Sequence, residues 1–135
     1  MVFSAVVCLV GCGPSTDAEM LEGKWNLTRA YETVTLGTAP AVVNDLEGYV
    51  GRTMELSEDG LCRRVDRDEV QVCLWYLSTD RRLIFADTLD NHVLEDYAIN
   101  ELTKERLVCS NEYDSYDSLT GTQSRYAYRF EYSKD

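Results

Sequence analysis

Arg125-Tyr126-Ala127-Tyr128-Arg129-Phe130-Glu131-Tyr132 is the stretch that decides the fold. Tyr126, Tyr128, Phe130 and Tyr132 share one parity; Arg125, Ala127, Arg129 and Glu131 share the other. A strand sends successive side chains to opposite faces, so alternation this regular predicts one buried face and one wet face. No segment sustains a helical period, and the one place that admits a helical turn is Val42 to Gly48. That stretch lies within the long connection from Thr33 to Tyr49.

Upstream, the same kind of text recurs between turn residues. Trp25 to Tyr31 places Trp25, Leu27 and Tyr31 on one face, and Met54-Glu55-Leu56 runs into Glu58-Asp59-Gly60, a hairpin signal. Leu61 to Val65, Val70 to Leu77, Leu83 to Phe85, His92 to Ile99 and Leu107 to Cys109 follow in turn. The charged or polar runs Asp66 to Glu69, Ser78 to Arg81 and Asp87 to Asn91 separate them. Consecutive short strands at nearly regular spacing predict an all-β fold, a small antiparallel up-and-down β-barrel of about eight strands.

Composition narrows the function classes. A chain of 135 residues with 44% apolar side chains supports one cored domain and is too apolar to be disordered. The net charge of −11 argues against a nucleic-acid partner, because phosphate neutralisation needs clustered Lys and Arg. A single His, His92, removes most metal sites and most nucleophile–base pairs. Neighbouring carboxylates such as Glu95 and Asp96 point to opposite faces of a strand and cannot cooperate. No catalytic residues, no metal and no cofactor are expected, so the chain reads as a non-enzyme.

The first twelve residues, Met1 to Cys12, carry no charge and give way at Gly13-Pro14-Ser15-Thr16-Asp17 to polar text. The run is too short to span a bilayer, which takes about 20 apolar residues, but it suits the apolar core of a secretory signal. No Lys or Arg precedes it, as a signal's opening should have, and an ordinary buried apolar segment is the alternative. Leu9-Val10-Gly11-Cys12 resembles the lipobox of bacterial lipoproteins. That resemblance implies cleavage between Gly11 and Cys12 and acylation of Cys12. It divides the chain into a signal peptide at 1–11, an acylated cysteine with polar tether at 12–20, and a barrel at 21–135. Gly13 in place of Asp implies an outer-membrane, lipid-anchored location.

Leu21-Glu22-Gly23-Lys24-Trp25-Asn26-Leu27 resembles the Gly-x-Trp opening of lipocalin-like domains. Leu56 to Gly60, Cys73 to Ser78, Arg82 to Phe85, Leu102 to Val108 and Tyr128-Arg129-Phe130 continue a cadence similar to small lipocalin-like lipoproteins of Bacteroidota. The resemblance covers Leu21 to Ser133 and rests on order and spacing, since each motif is short. It implies that Trp25 closes the barrel floor against an Arg of the last strand, with Arg125 or Arg129 as candidates.

Cys62 and Cys73 flank the Asp66–Glu69 turn symmetrically, and a two-residue turn at Arg67-Asp68 would set them directly opposite. A disulfide between them and a pair of buried thiols are both open, because that register places them at a hydrogen-bonded site with side chains farther apart. Cys109 is then an unpaired thiol. Glu112, Asp114 and Asp117 fall in a polar stretch that reads as a solvated acidic loop; a calcium loop would need more oxygens and a Gly among the ligands.

Strand parity puts Arg52 on the Met54 face and Glu95 on the Tyr97 face. With Trp75, Tyr126, Tyr128 and Phe130, these are the candidates for lining a ligand cavity, apolar with a few polar handles. Two functions follow. One is a small, partly apolar ligand or a short peptide held at the barrel mouth. The other is a filled, ligand-free barrel that docks an envelope protein through its acidic surface. A monomer is expected in either case.

Overall fold

In a computed structural model that describes residues 16–135, the last strand is half-buried at every position from Tyr126 to Lys134, so the expected contrast between a buried and a wet face is not seen in its burial. The chain forms a five-residue helix α1 (Asp17–Leu21) and strands β1 (Gly23–Leu36) and β2 (Val42–Asp45), then a 3-10 helix at Glu47–Tyr49. Strands β3 (Thr53–Leu56), β4 (Leu61–Asp66), β5 (Glu69–Leu77) and β6 (Arg82–Ala86) follow. β7 (Val93–Leu102), β8 (Arg106–Asp117) and β9 (Thr122–Lys134) complete the set. Each of β3 to β8 pairs antiparallel with the next, and β1 pairs with both β3 and β9, closing an eight-strand up-and-down barrel. β2 is an extra strand beside β1 at Tyr31–Val34.

Closure removes most edges, and local chemistry sets the register. Gly60 takes φ +88° in the β3–β4 turn, a left-handed value that costs glycine nothing, and its carbonyl accepts the Trp75 N–H. Arg67 takes φ +61° in the two-residue β4–β5 turn, which puts Cys62 opposite Cys73. A bulge between Leu27 and Arg29 shifts the inward face of β1. Trp25, Leu27 and Ala30 therefore point inward, whereas Tyr31, expected on the Trp25 face, points outward beneath the Arg29 guanidinium at 4.6 Å.

One end of the barrel is solid. Leu21, Trp25, Met54, Leu56, Cys62, Cys73, Trp75, Leu83, Phe85 and Leu107 form its apolar core, with Trp25 fully buried and Met54 at the boundary with the open end. α1 plugs this end: Leu21 is fully buried, and the Leu21 carbonyl accepts the Trp25 indole N–H at 2.7 Å. Five residues are too few to hold a helix by propensity, so these contacts and the Thr16 cap at Glu19 N–H hold it. Residues 17–20, read from sequence as tether, belong to the fold. Gly11 and Cys12 lie outside the described residues.

The expected floor arginine is corrected. Arg125 and Arg129 face outward, Arg125 toward Asp114 at 3.1 Å and Arg129 toward Glu131 at 3.5 Å. The cation over Trp25 is Lys134, whose Nζ lies 4.9 Å from the ring and donates to the Met20 carbonyl at 2.8 Å. The reason is parity, since Lys134 shares the inward register of Tyr126 to Tyr132 and the two arginines do not.

Glu112 to Asp117 is also corrected, from loop to strand. β8 pairs with β9 as far as Asp117 opposite Thr122, and Arg125 across the ladder neutralises Asp114. Val42 to Gly48 divides into β2 and the start of the 3-10 helix.

Cys62, Cys73 and Cys109 are free, buried thiols. The Cys62 pKa is pushed up, first by its hydrogen bond to Cys73 and then by burial; burial lifts Cys109 to about 12. The same Cys62–Cys73 hydrogen bond pulls Cys73 the other way, down to about 7, so its protection comes from burial, which keeps reagent from all three sulfurs. In native protein without reductant, iodoacetamide should leave all three unmodified, and denaturant should expose all three. A Cys62–Cys73 cross-linked peptide in a non-reducing digest would contradict this.

Candidate functional site at the barrel mouth

Opposite the α1 plug, the barrel opens into a cavity of about 790 Å³. That volume lies within the range of small-molecule sites, roughly 300–1,000 Å³. Its walls come from inward positions of several strands. β3 and the residues before it supply Arg52 and Met54, β4 supplies Arg64 and Asp66, and β7 supplies Glu95 and Tyr97. β8 contributes Asn111 and Tyr113, β9 contributes Tyr128, Phe130 and Tyr132, and Tyr49 arrives from the 3-10 helix.

Apart from Glu69 at the rim, the charges lining the cavity are paired. Arg64 meets Glu95 with both terminal nitrogens, Nη1 at 2.9 Å and Nη2 at 2.6 Å, and Nη2 also donates to Gln71 at 2.8 Å. Tyr97 donates its hydroxyl to the same Glu95. Arg52 pairs with Asp66 at 2.9 Å. Aromatic rings back both guanidinium groups: Arg52 lies 3.8 Å from the Tyr49 centroid and Arg64 lies 4.7 Å from that of Phe85. Two-point carboxylate pairing and ring stacking are both arginine geometries that lysine does not reproduce.

The electrostatics follow. Burial pushes the Glu95 pKa up, but hydrogen bonds from Arg64 and Tyr97 and the Arg64 charge outweigh it, leaving Glu95 below the ordinary carboxylate value. Burial acts against the charged form of Arg64, and the Glu95 hydrogen bond and charge more than reverse that. Tyr97 is held protonated, by burial first and by the Glu95 charge second. Glu95 has a folded pKa below its unfolded value of about 4.3, so its contribution is present above that pH. It is lost as pH falls through the folded value. Urea unfolding between about pH 5 and pH 3 should therefore show a shallower stability loss in Glu95→Gln than in the parent. Equal slopes would contradict the pairing.

Of the residues read from sequence as lining, Arg52, Met54, Glu95, Tyr97, Tyr128 and Phe130 converge on the cavity. Trp75 does not: it sits in the solid core and donates its indole N–H to the Ser57 carbonyl at 2.8 Å. Tyr126 lies beyond the cavity, stacked on Tyr113 with centroids 5.0 Å apart. Tyr113 stacks in turn on Tyr128 at 6.0 Å, so a tyrosine ladder leads out of the mouth. Sequence reasoning missed Arg64, Asp66, Asn111 and Tyr49. For the first two the signal was present, since Cys62, Arg64 and Asp66 share one parity on a strand whose Cys62 is core.

Among the described residues, one group of possible metal ligands gathers, Asp87, Asp90 and His92 on the exposed β6–β7 turn. Asp90 there accepts both the His92 backbone N–H at 3.2 Å and its ring Nδ1 at 2.5 Å, bonds that shape the turn itself. No family model matches the chain, and no curated protein or solved structure matches it either.

Proposed function

We propose that this chain is a lipid-anchored barrel of the bacterial outer membrane that binds a small, partly apolar ligand at its mouth. The observation that carries the binding is the cavity of about 790 Å³, which combines aromatic walls with fixed, paired charges. A solid core at one end and an unfilled mouth at the other is the division of labour such a barrel needs. The aromatic rings supply apolar contact, and the ion pairs supply orientation without a lone buried charge.

The anchor rests on the lipobox-like Leu9 to Cys12, outside the described residues. It gains a geometric consequence from the fold. α1 begins at Asp17 on the solid end, and four residues of chain from Cys12 to Thr16 reach at most roughly 14 Å. An acylated Cys12 thus holds the solid end toward the bilayer and the mouth away from it. Mass analysis of the processed N-terminus should find acylated Cys12; an intact, unmodified Met1 would remove the membrane part of the reading.

The binding part is tested by native mass spectrometry of the protein after incubation with a solvent extract of bacterial envelope. A retained small-molecule adduct at one per chain is expected, and its absence across several extracts would count against the cavity as a site. A second reading, docking of an envelope protein, is favoured by β2. Its Val42 and Val43 are each 58% exposed and its only strand partner among the described residues is β1. An open strand edge of this kind can accept another chain. Reproducible crosslinking of one partner to β2 in intact cells would support it.

A further inference from the structure

The mouth is short of positive charge. Two arginines and three carboxylates line the cavity, and the ion pairs Arg52–Asp66 and Arg64–Glu95 leave Glu69 over. A further carboxylate, Glu32, stands opposite Tyr128 in the β1–β9 ladder and so shares the face on which Tyr128 lines the cavity. Neither Glu32 nor Glu69 has an ion-pair partner among the described residues.

Glu32 has acceptors for company. The hydroxyls of Tyr128 and Tyr113 lie 3.4 Å apart. Hydrogen bonds to Tyr113 and Glu32 push the Tyr128 pKa up and keep its hydroxyl protonated. Two phenol oxygens and a carboxylate therefore gather at one place on the rim. The carboxylate is held there from β2, where Asn44 lies opposite Glu32 and donates Nδ2 to its Oε1 at 3.3 Å.

These groups match one chemistry. A primary ammonium brings three N–H donors and a positive charge, which three oxygen acceptors with a net negative charge can satisfy. Aromatic faces also attract cations. Elsewhere among the described residues a protein cation lies over Tyr31, Tyr49, Phe85 and Trp25, whereas the ladder of Tyr113, Tyr126 and Tyr128 carries none. The net charge of −11 acts in the same direction, drawing cations toward a cleft that is itself negative.

We propose that the ligand is an apolar amine, its ammonium group seated at Glu32 and the hydroxyls of Tyr113 and Tyr128, its body in the cavity against Tyr49 and Phe130. This rests on the cavity being a ligand site and adds the chemical class that it selects.

Two probes with one skeleton separate these claims. Dansylcadaverine ends in a primary ammonium, and its N-acetyl derivative is neutral. Fluorescence titration of the protein at about 0.15 M salt should give about tenfold tighter binding of the amine, the size expected of hydrogen bonds to a charged group. Glu32→Gln keeps the side-chain shape and an acceptor for Asn44. It should weaken the amine about tenfold and leave the acetylated probe within about twofold. Glu58→Gln makes the same change in net charge at the exposed β3–β4 turn of the solid end, and should leave both probes within about twofold, because salt screens a charge that distant. The comparison of probes in the unaltered protein stands without any variant. Equal affinities, or a loss in Glu58→Gln matching that in Glu32→Gln, would overturn the amine proposal and leave the cavity as a site. Failure of both probes to bind would overturn both.

Discussion

Trp25→Ala should cost about 3–5 kcal/mol of stability, the range for removing a large aromatic from a core. Folded domains of this size hold only about 5–15 kcal/mol, so the variant should be largely unfolded at modest urea. Three losses coincide at this position. The ring is fully buried at the centre of the solid end, its N–H is the bond to the Leu21 carbonyl, and its face carries Lys134. The helix α1 keeps its buried Leu21, the Arg81–Asp17 pair at 2.7 Å and Lys134 on the Met20 carbonyl, so it should loosen with the loss of the ring and not detach outright. Trp25→Phe keeps most of the packing and drops the hydrogen bond, and should cost about 1–2 kcal/mol. Urea unfolding followed by far-ultraviolet circular dichroism measures both. A Trp25→Ala cost below about 1 kcal/mol would mean the solid end does not depend on this residue.

Arg64→Ala should be the next most damaging change. It leaves Glu95 on the cavity wall with only Tyr97 donating to it. Breaking a fully buried pair costs about 3–5 kcal/mol; these side chains keep 20% and 33% of their exposure, so about 2–3 kcal/mol is expected. The double change Arg64→Met with Glu95→Met removes both charges together and should recover most of that loss. A double-mutant cycle by urea unfolding reads the coupling between the two. Additive losses would show that the charges act separately, against the two-point geometry.

Much of the fold was legible because parity is a strong signal where one face is buried. Tyr126 to Tyr132 sit in the register that their alternation demands, and the symmetry of Cys62 and Cys73 about Arg67-Asp68 located a real pairing. The same symmetry could not say whether the sulfurs bond, since that depends on side-chain distance at a hydrogen-bonded site. Tyr31 was misplaced because a bulge between Leu27 and Arg29 has no mark in the sequence there, with no glycine to announce it. Glu112 to Asp117 read as a loop because its acidic residues mask the inward series Asn111, Tyr113 and Ser115. Only the partner strand, with Arg125 opposite Asp114, makes those acids tolerable in a sheet.

The site was half legible for a related reason. Arg52 and Glu95 stood out as charges of inward parity, and such charges need partners. The partners Asp66 and Arg64 occupy inward positions of β4, directly beyond Cys62, and extending one strand's parity by four residues would have found them. The floor cation needed a similar step, from Tyr132 to Lys134. Tyr49 was beyond reach, because a 3-10 turn inside a long connection brings it to Phe130.

A ligand held at the mouth of a barrel that is solid at its other end should be visible in methyl resonances. Met54 lines the cavity, whereas Met20 lies on α1 at the solid end, so the protein carries its own control. With both methyl groups labelled with carbon-13, titration of N-phenyl-1-naphthylamine should shift the Met54 resonance saturably and leave that of Met20 in place. A fixed Met54 signal throughout the titration, or equal movement of both, would contradict the account.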